Sequence, residues 1–157
     1  MTRKTTQLRI CTWNVCLGAR TKLPTIKTLL QEHDIDILCI QEADIKPEED
    51  VADYRVSGYE LETEKTTTQF KIRSLVYIRT DINYKRLEDD ESENSHIILI
   101  RVKDVTIAAM YRTYQLTHKE NHSSALDEQN QNIRSILLNL EALPVARRCK
   151  FRRNEKN

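Results

Sequence analysis

Glycine is scarce in this chain. Only Gly18 and Gly58 occur among 157 residues, and a phosphate-cradling loop of either common type needs at least two glycines close together. Nucleotide binding of the Walker or dinucleotide kind is therefore excluded. Long apolar runs are also missing: none approaches the ~18 to 20 residues of a membrane span, and the polar residues 1–7 are not followed by an apolar stretch of signal length. These absences predict no membrane engagement and an intracellular location, nuclear or cytoplasmic. Net charge is close to absent, since 25 Lys and Arg stand against 24 Asp and Glu to give +1. Any affinity for nucleic acid must then be local. No two of Cys11, Cys16, Cys39 and Cys149 form a CxxC pair. Two of them sit inside apolar runs, where a free thiol behaves as a small hydrophobe, so reduced thiols are expected in preference to disulfides or zinc ligands.

What is present describes a globular chain, 39% hydrophobic and 31% charged, with a mass of 18.5 kDa that suits one domain. Residues 8–15 read as a strand. Ile26, Leu29 and Leu30 repeat at helical spacing, with Pro24 suited to a first helical turn. Residues 34–36 break that pattern, and the continuously apolar run 37–40 reads as a strand covered on both faces, ending at Gln41-Glu42. A strand, helix, strand unit of this length favours a parallel pair, which places Trp13-Asn14 and Gln41-Glu42 at the same sheet edge, where polar groups commonly form sites.

Residues 48–53 read as an acidic loop. Strands are expected over 59–62, 74–79, 83–87, 97–102 and 105–111, the last two joined as a hairpin through Lys103-Asp104. The acidic run 88–93 repels itself and reads as an exposed loop. A helix is expected from Ser124, with Asp127 in a capping arrangement, to Pro144. The basic residues 147–153 read as a solvated end, with nucleic-acid binding or a nuclear address as the alternatives. His118 and His122 are four apart, but their polar surroundings favour a loop over a metal site. His33 and His96 have no identifiable partner in the sequence.

Residues 8–15, Leu-Arg-Ile-Cys-Thr-Trp-Asn-Val, and residues 36–42, Asp-Ile-Leu-Cys-Ile-Gln-Glu, resemble the opening of the endonuclease/exonuclease/phosphatase superfamily, whose fold is that of DNase I. Residues 106–112, Thr-Ile-Ala-Ala-Met-Tyr-Arg, resemble the family strand that ends in a phosphate-facing tyrosine. The Tyr-Arg form is similar to endonuclease domains of non-LTR retrotransposons. The resemblance implies an α+β fold, a β-sandwich flanked by helices. It also implies metal-dependent phosphodiester hydrolysis of DNA, with Glu42 as ligand to a weakly held Mg²⁺. Asn14 would orient the metal's surroundings or the attacking water, Tyr111 would bond the scissile phosphate, and Arg112 would contact the substrate backbone. Each residue has a plainer reading: a first solvated carboxylate, a turn cap, a strand-end aromatic. Their occurrence in family order on the expected elements favours the site.

Two family motifs do not occur: Gly-Asp-x-Asn after the tyrosine strand, and Ser-Asp-His near the C-terminus. The resemblance therefore implies only the N-terminal portion of the domain, over residues 8–143, between a polar tail at 1–7 and a basic tail at 144–157. Without those motifs, which carry water activation and charge stabilisation, little or no turnover is expected. The alternative is an inactive nucleic-acid-binding or protein-interaction module. A second sheet left incomplete is expected to expose Val76, Ile98, Ile100 and Ile107, giving marginal stability and self-association through that face.

Overall fold

A computed structural model of the chain describes residues 7–64, 71–87, 95–112 and position 131. Its elements run β1 (Ile10–Asn14), α1 (Ala19–Glu32), β2 (Ile37–Ile45), a single 3₁₀ turn (Val51–Tyr54), β3 (Tyr59–Thr63), β4 (Ile72–Arg79), β5 (Lys85–Arg86), β6 (Ser95–Val102) and β7 (Val105–Arg112). The expected helix from Ser124, the acidic run 88–93, His118, His122 and the basic tail lie outside the described residues. No helix among the described residues is long and apolar enough to cross a membrane.

The strands form two sheets, one ordered β1-β2-β4-β3 and the other β5-β6-β7. In the first, β1 runs parallel to β2 with Ile10 beside Ile37 and Asn14 beside Gln41, as the helical crossover requires. Strand β4 is antiparallel to both β2 and β3. In the second, β6 and β7 form the hairpin expected from the sequence, closing Val102 onto Val105, with Lys103 at a left-handed φ of 53° in the turn.

Alternation assigns each side chain to a layer. Leu38 and Ile40 of β2 and Leu75 and Tyr77 of β4 pack with Ala19, Ile26 and Leu30 of α1. Their neighbours Ile37, Cys39, Val76 and Ile78 face the other way, onto Ile98, Ile100, Val102, Ile107 and Ala109 of the second sheet. The layers are thus helix, sheet, sheet. This is an α+β sandwich of the kind the resemblance implies, and it corrects one expectation: Val76, Ile98 and Ile100 are fully buried and Ile107 is only 9% exposed. Strands β6 and β7 pack on β2 and β4, the central strands of the four-stranded sheet. The face proposed for self-association is already the interior of the molecule.

Helix α1 begins at Ala19, five residues before Pro24, so the proline lies inside the helix. Burial decides this start: Ala19 is fully buried, and the Gly18 carbonyl accepts from both Lys22 N (3.1 Å) and Thr21 Oγ1 (3.0 Å). The acidic stretch expected to be a loop contains the 3₁₀ turn instead, capped by Asp50, whose side chain accepts from Ala52 N at 2.8 Å. The strand expected over 83–87 shrinks to two paired residues, Lys85 and Arg86.

Polar side chains tie the layers together. The Tyr59 hydroxyl is shared between the carbonyls of Leu30 (2.8 Å) and Ile35 (2.7 Å), fastening β3 to the end of α1. Buried Asp36 accepts from Arg9 N at 2.7 Å and pairs with Arg79 at 2.7 Å, closing one end of the first sheet. At the β3 and β5 margin, the Glu62 carboxylate takes Tyr84 Oη on one oxygen and Arg86 Nη1 on the other, both at 2.6 Å. That clamp joins the two sheets.

Candidate active site

Asn14 ends β1 and is exposed. Its Oδ1 accepts from Cys16 N at 2.9 Å, the local turn that asparagine favours, and it leads into two successive left-handed residues, Cys16 (φ 54°) and Leu17 (φ 59°). Beside it on β2, Gln41 Oε1 accepts from Thr12 Oγ1 at 2.9 Å. Glu42 is the next residue along. The parallel pair therefore brings Asn14 and Glu42 to the same end of the sheet, as the sequence predicted.

Beyond Gln41, β2 does not stop. Its pairing with β4 jumps from Gln41 opposite Ser74 to Ile45 opposite Ile72. Three residues of β2 (Glu42, Ala43, Asp44) thus stand against one of β4 (Arg73). Such a bulge re-aims side chains and is common beside sites. Glu42 (φ 57°) and Asp44 (φ 55°) adopt left-handed conformations without being glycine, while Ala43 between them is 2% exposed. A non-glycine residue there carries ~1 to 3 kcal/mol of strain, sustained by the surrounding packing.

The two carboxylates of the bulge have different fates. Asp44 is neutralised, pairing with Arg73 Nη1 at 2.5 Å and Lys71 Nζ at 3.2 Å. Glu42 makes no hydrogen bond or ion pair with the described residues. Across the sandwich, Tyr111 occupies the inward-facing register of β7 with Ile107 and Ala109, and the Arg73 guanidinium lies over its ring, 5.7 Å from the centroid. Burial first, then the charges of Glu42, Asp44 and Glu64, raise the Tyr111 phenol above its ordinary pKa, while Arg73 acts to lower it. The phenol is accordingly a neutral hydrogen-bond donor near neutral pH. Glu64, 3% exposed, accepts from Arg73 N. Arg112 is the last residue of β7, in register with Ser95.

Sequence reasoning missed Asp44, Arg73, Lys71 and Glu64, because ion pairs across a bulge have no spacing signature. It also missed Ser74, fully buried beside Gln41, whose hydroxyl has no partner among the described residues. No three His, Cys, Asp or Glu side chains among the described residues converge as a metal cluster. The donors suit a hard divalent cation held weakly: one uncommitted carboxylate at Glu42, the second lone pair of the Asn14 amide oxygen that also accepts from Cys16 N, and water.

Comparison with known proteins places this geometry. The Endonuclease/Exonuclease/phosphatase family matches residues 11–148. Among curated proteins, none matches. Among solved structures, the AP endonuclease LMAP from Leishmania major superposes with a TM-score of 0.61 at 16% identity, covering 90% of this chain and 54% of that one. The 3'-5' exonuclease NExo from Neisseria meningitidis gives 0.56 at 19% identity, covering 82% and 52%. The endonuclease domain of TRAS1, a telomere-specific non-LTR retrotransposon, gives 0.54 at 12% identity, covering 85% and 54%. At these identities the likeness is one of fold, and the chain spans about half the length of the structures it matches. The family match itself runs through the strands that carry Asn14, Glu42 and Tyr111, and on that extent this chain belongs to the endonuclease/exonuclease/phosphatase family.

Proposed function

We propose that this chain carries the metal-binding and phosphate-binding portion of a phosphodiesterase site and engages DNA or a related phosphodiester with little turnover of its own. One observation carries the reading: the carboxylate of Glu42 has no hydrogen-bond or ion-pair partner among the described residues, on a strained bulge at the edge where β1 ends and next to a neutral tyrosine. A side chain held in a costly conformation and given no counter-charge from the described residues is built to meet something else.

In this reading Glu42 holds Mg²⁺ as its single anionic ligand, with Asn14 ordering the water around it. When bound, the cation would polarise a phosphoryl oxygen as a Lewis acid. The chain's own residues do the rest. The Tyr111 hydroxyl donates to a non-bridging phosphate oxygen, and Arg112 contacts the backbone beyond the scissile bond. Asn14 stays fixed by its bond to Cys16 N, so its amide is oriented before substrate arrives. A general base and a histidine donor to the developing charge are what the Gly-Asp-x-Asn and Ser-Asp-His motifs supply in the family. Neither motif occurs in the sequence, and each loss costs ~10² to 10⁴ in rate. That deficit also supports the second reading, an inactive module that binds nucleic acid or a protein partner.

Calorimetric titration with Mg²⁺, together with a plasmid and abasic-DNA cleavage assay of the full chain, tests this. Weak Mg²⁺ binding that disappears in Glu42→Gln, with cleavage at background, is the expected result. Binding that Glu42→Gln leaves intact would overturn the metal assignment. Cleavage at a rate typical of the family, abolished by the same change, would overturn the low-turnover reading.

A further inference from the structure

We infer that Arg73 is a positioning residue for Tyr111, held in place by Asp44, so that the phenol is presented to phosphate by a carboxylate, guanidinium and ring in series. The inference rests on the reading that Tyr111 meets the phosphodiester.

Three contacts fix Arg73 where it is. Its backbone N donates to buried Glu64, its Nη1 lies 2.5 Å from Asp44 Oδ1, and its guanidinium carbon sits 5.7 Å from the Tyr111 centroid. The Arg73 and Asp44 side chains are only 22% and 16% exposed, so solvent screens this pair less than a surface one. Asp44 reaches Arg73 because the bulge sets three residues of β2 against Arg73 alone on β4. The strain at Asp44 therefore has a use: it places a carboxylate to anchor the guanidinium.

The ring sits where such a contact can orient it. Tyr111 is one residue from the end of β7, partly exposed, and in contact with the other sheet through its inward-facing register. A guanidinium over an aromatic face is attracted by the ring quadrupole, and Arg, being planar, fixes ring orientation as well as position. Tied through Nη1 to Asp44 and lying over the ring, Arg73 acts in this inference through the tyrosine.

The test uses the full chain with ring ¹³C-labelled tyrosine, Tyr111 being assigned by its loss in Tyr111→Phe, and a short single-stranded oligothymidylate as probe. A nuclear Overhauser contact between the Arg73 side chain and the Tyr111 ring is expected in the parent and lost in Asp44→Asn and Arg73→Met. Oligothymidylate affinity should fall about fivefold to tenfold in Arg73→Met. It should fall no further when that change is added to Tyr111→Phe, because coupled residues are not additive. Arg73→Lys keeps the charge but not the plane, and should behave like Arg73→Met.

Losses that multiply in the double variant would show Arg73 touching phosphate itself and overturn the inference. Full recovery in Arg73→Lys would also overturn it, reducing the role to charge. Absence of the Overhauser contact in a folded parent overturns it whatever the oligonucleotide does. If no variant binds oligothymidylate while the contact is present in the parent and lost in Asp44→Asn, the phosphodiester reading falls and the positioning of Tyr111 by Arg73 stands.

Discussion

The two halves of β2 are built on opposite rules. From Ile37 to Ile40 the side chains alternate strictly, two toward α1 and two toward the second sheet, and none of the four is more than 4% exposed. From Glu42 to Asp44 the backbone twice adopts left-handed values, pairing slips, and carboxylates replace hydrocarbons. Buried hydrocarbon is concentrated in the regular half and carboxylates in the irregular one. The first makes the second possible, since strained conformers persist only where the surroundings over-determine them.

The largest effect should come from breaking the regular half. Ile40→Ala removes a fully buried side chain between β1, β4 and the helix layer, and should lower the unfolding free energy by ~2 to 5 kcal/mol, read by urea denaturation. A loss under ~1 kcal/mol would mean that this half does not anchor the fold.

A change in the irregular half should go the other way. Glu42→Gly relieves a left-handed residue, a gain of ~1 to 2 kcal/mol, against ~0.5 to 1 kcal/mol for glycine's greater freedom when unfolded. Stability should therefore equal or slightly exceed that of the parent while Mg²⁺ binding vanishes. A fall of more than ~1 kcal/mol would show that the Glu42 side chain itself holds the bulge.

The smallest effect is on pH dependence, and it belongs to the regular half again. Burial pushes the Cys39 thiol up to about 12, above the ~8.5 of an unfolded chain. A group raised on folding contributes stability that is complete below its unfolded pKa and is lost as pH rises toward the folded one. Unfolding free energy should begin to fall above about pH 8.5, ahead of the tyrosines, and Cys39→Val should flatten that first segment. An unchanged slope in Cys39→Val would assign the loss to other groups. In the native chain a thiol reagent should label exposed Cys16 and spare Cys39.

This contrast also sorts what the sequence could reveal. Residues 37–40 were legible because a strand buried on both faces is a continuous apolar run, and the β6–β7 hairpin because Lys103-Asp104 separates two such runs. Asn14, Glu42 and Tyr111 were legible only as members of a resemblance. The bulge was not legible, because aspartate visits left-handed values often enough to signal nothing by itself, and Glu42 is of a type that rarely does. Arg73 was hidden for the same reason, its meaning depending on a register slip in another strand. The burial of Val76, Ile98, Ile100 and Ile107 was misjudged because a count of missing strands says nothing about how far the remaining ones overlap.

The clamp of Glu62 on Tyr84 and Arg86 gives the sandwich a spine. It fastens β3 to β5, the margins of the two sheets, whereas Asn14, Glu42 and Tyr111 lie on β1, β2 and β7, toward the opposite margins. The β7 side is held differently, by Arg73 of β4 over the Tyr111 ring. Hydrogen bonds and charge fasten one margin and a ring contact the other, so partial opening at either must first release a particular side chain.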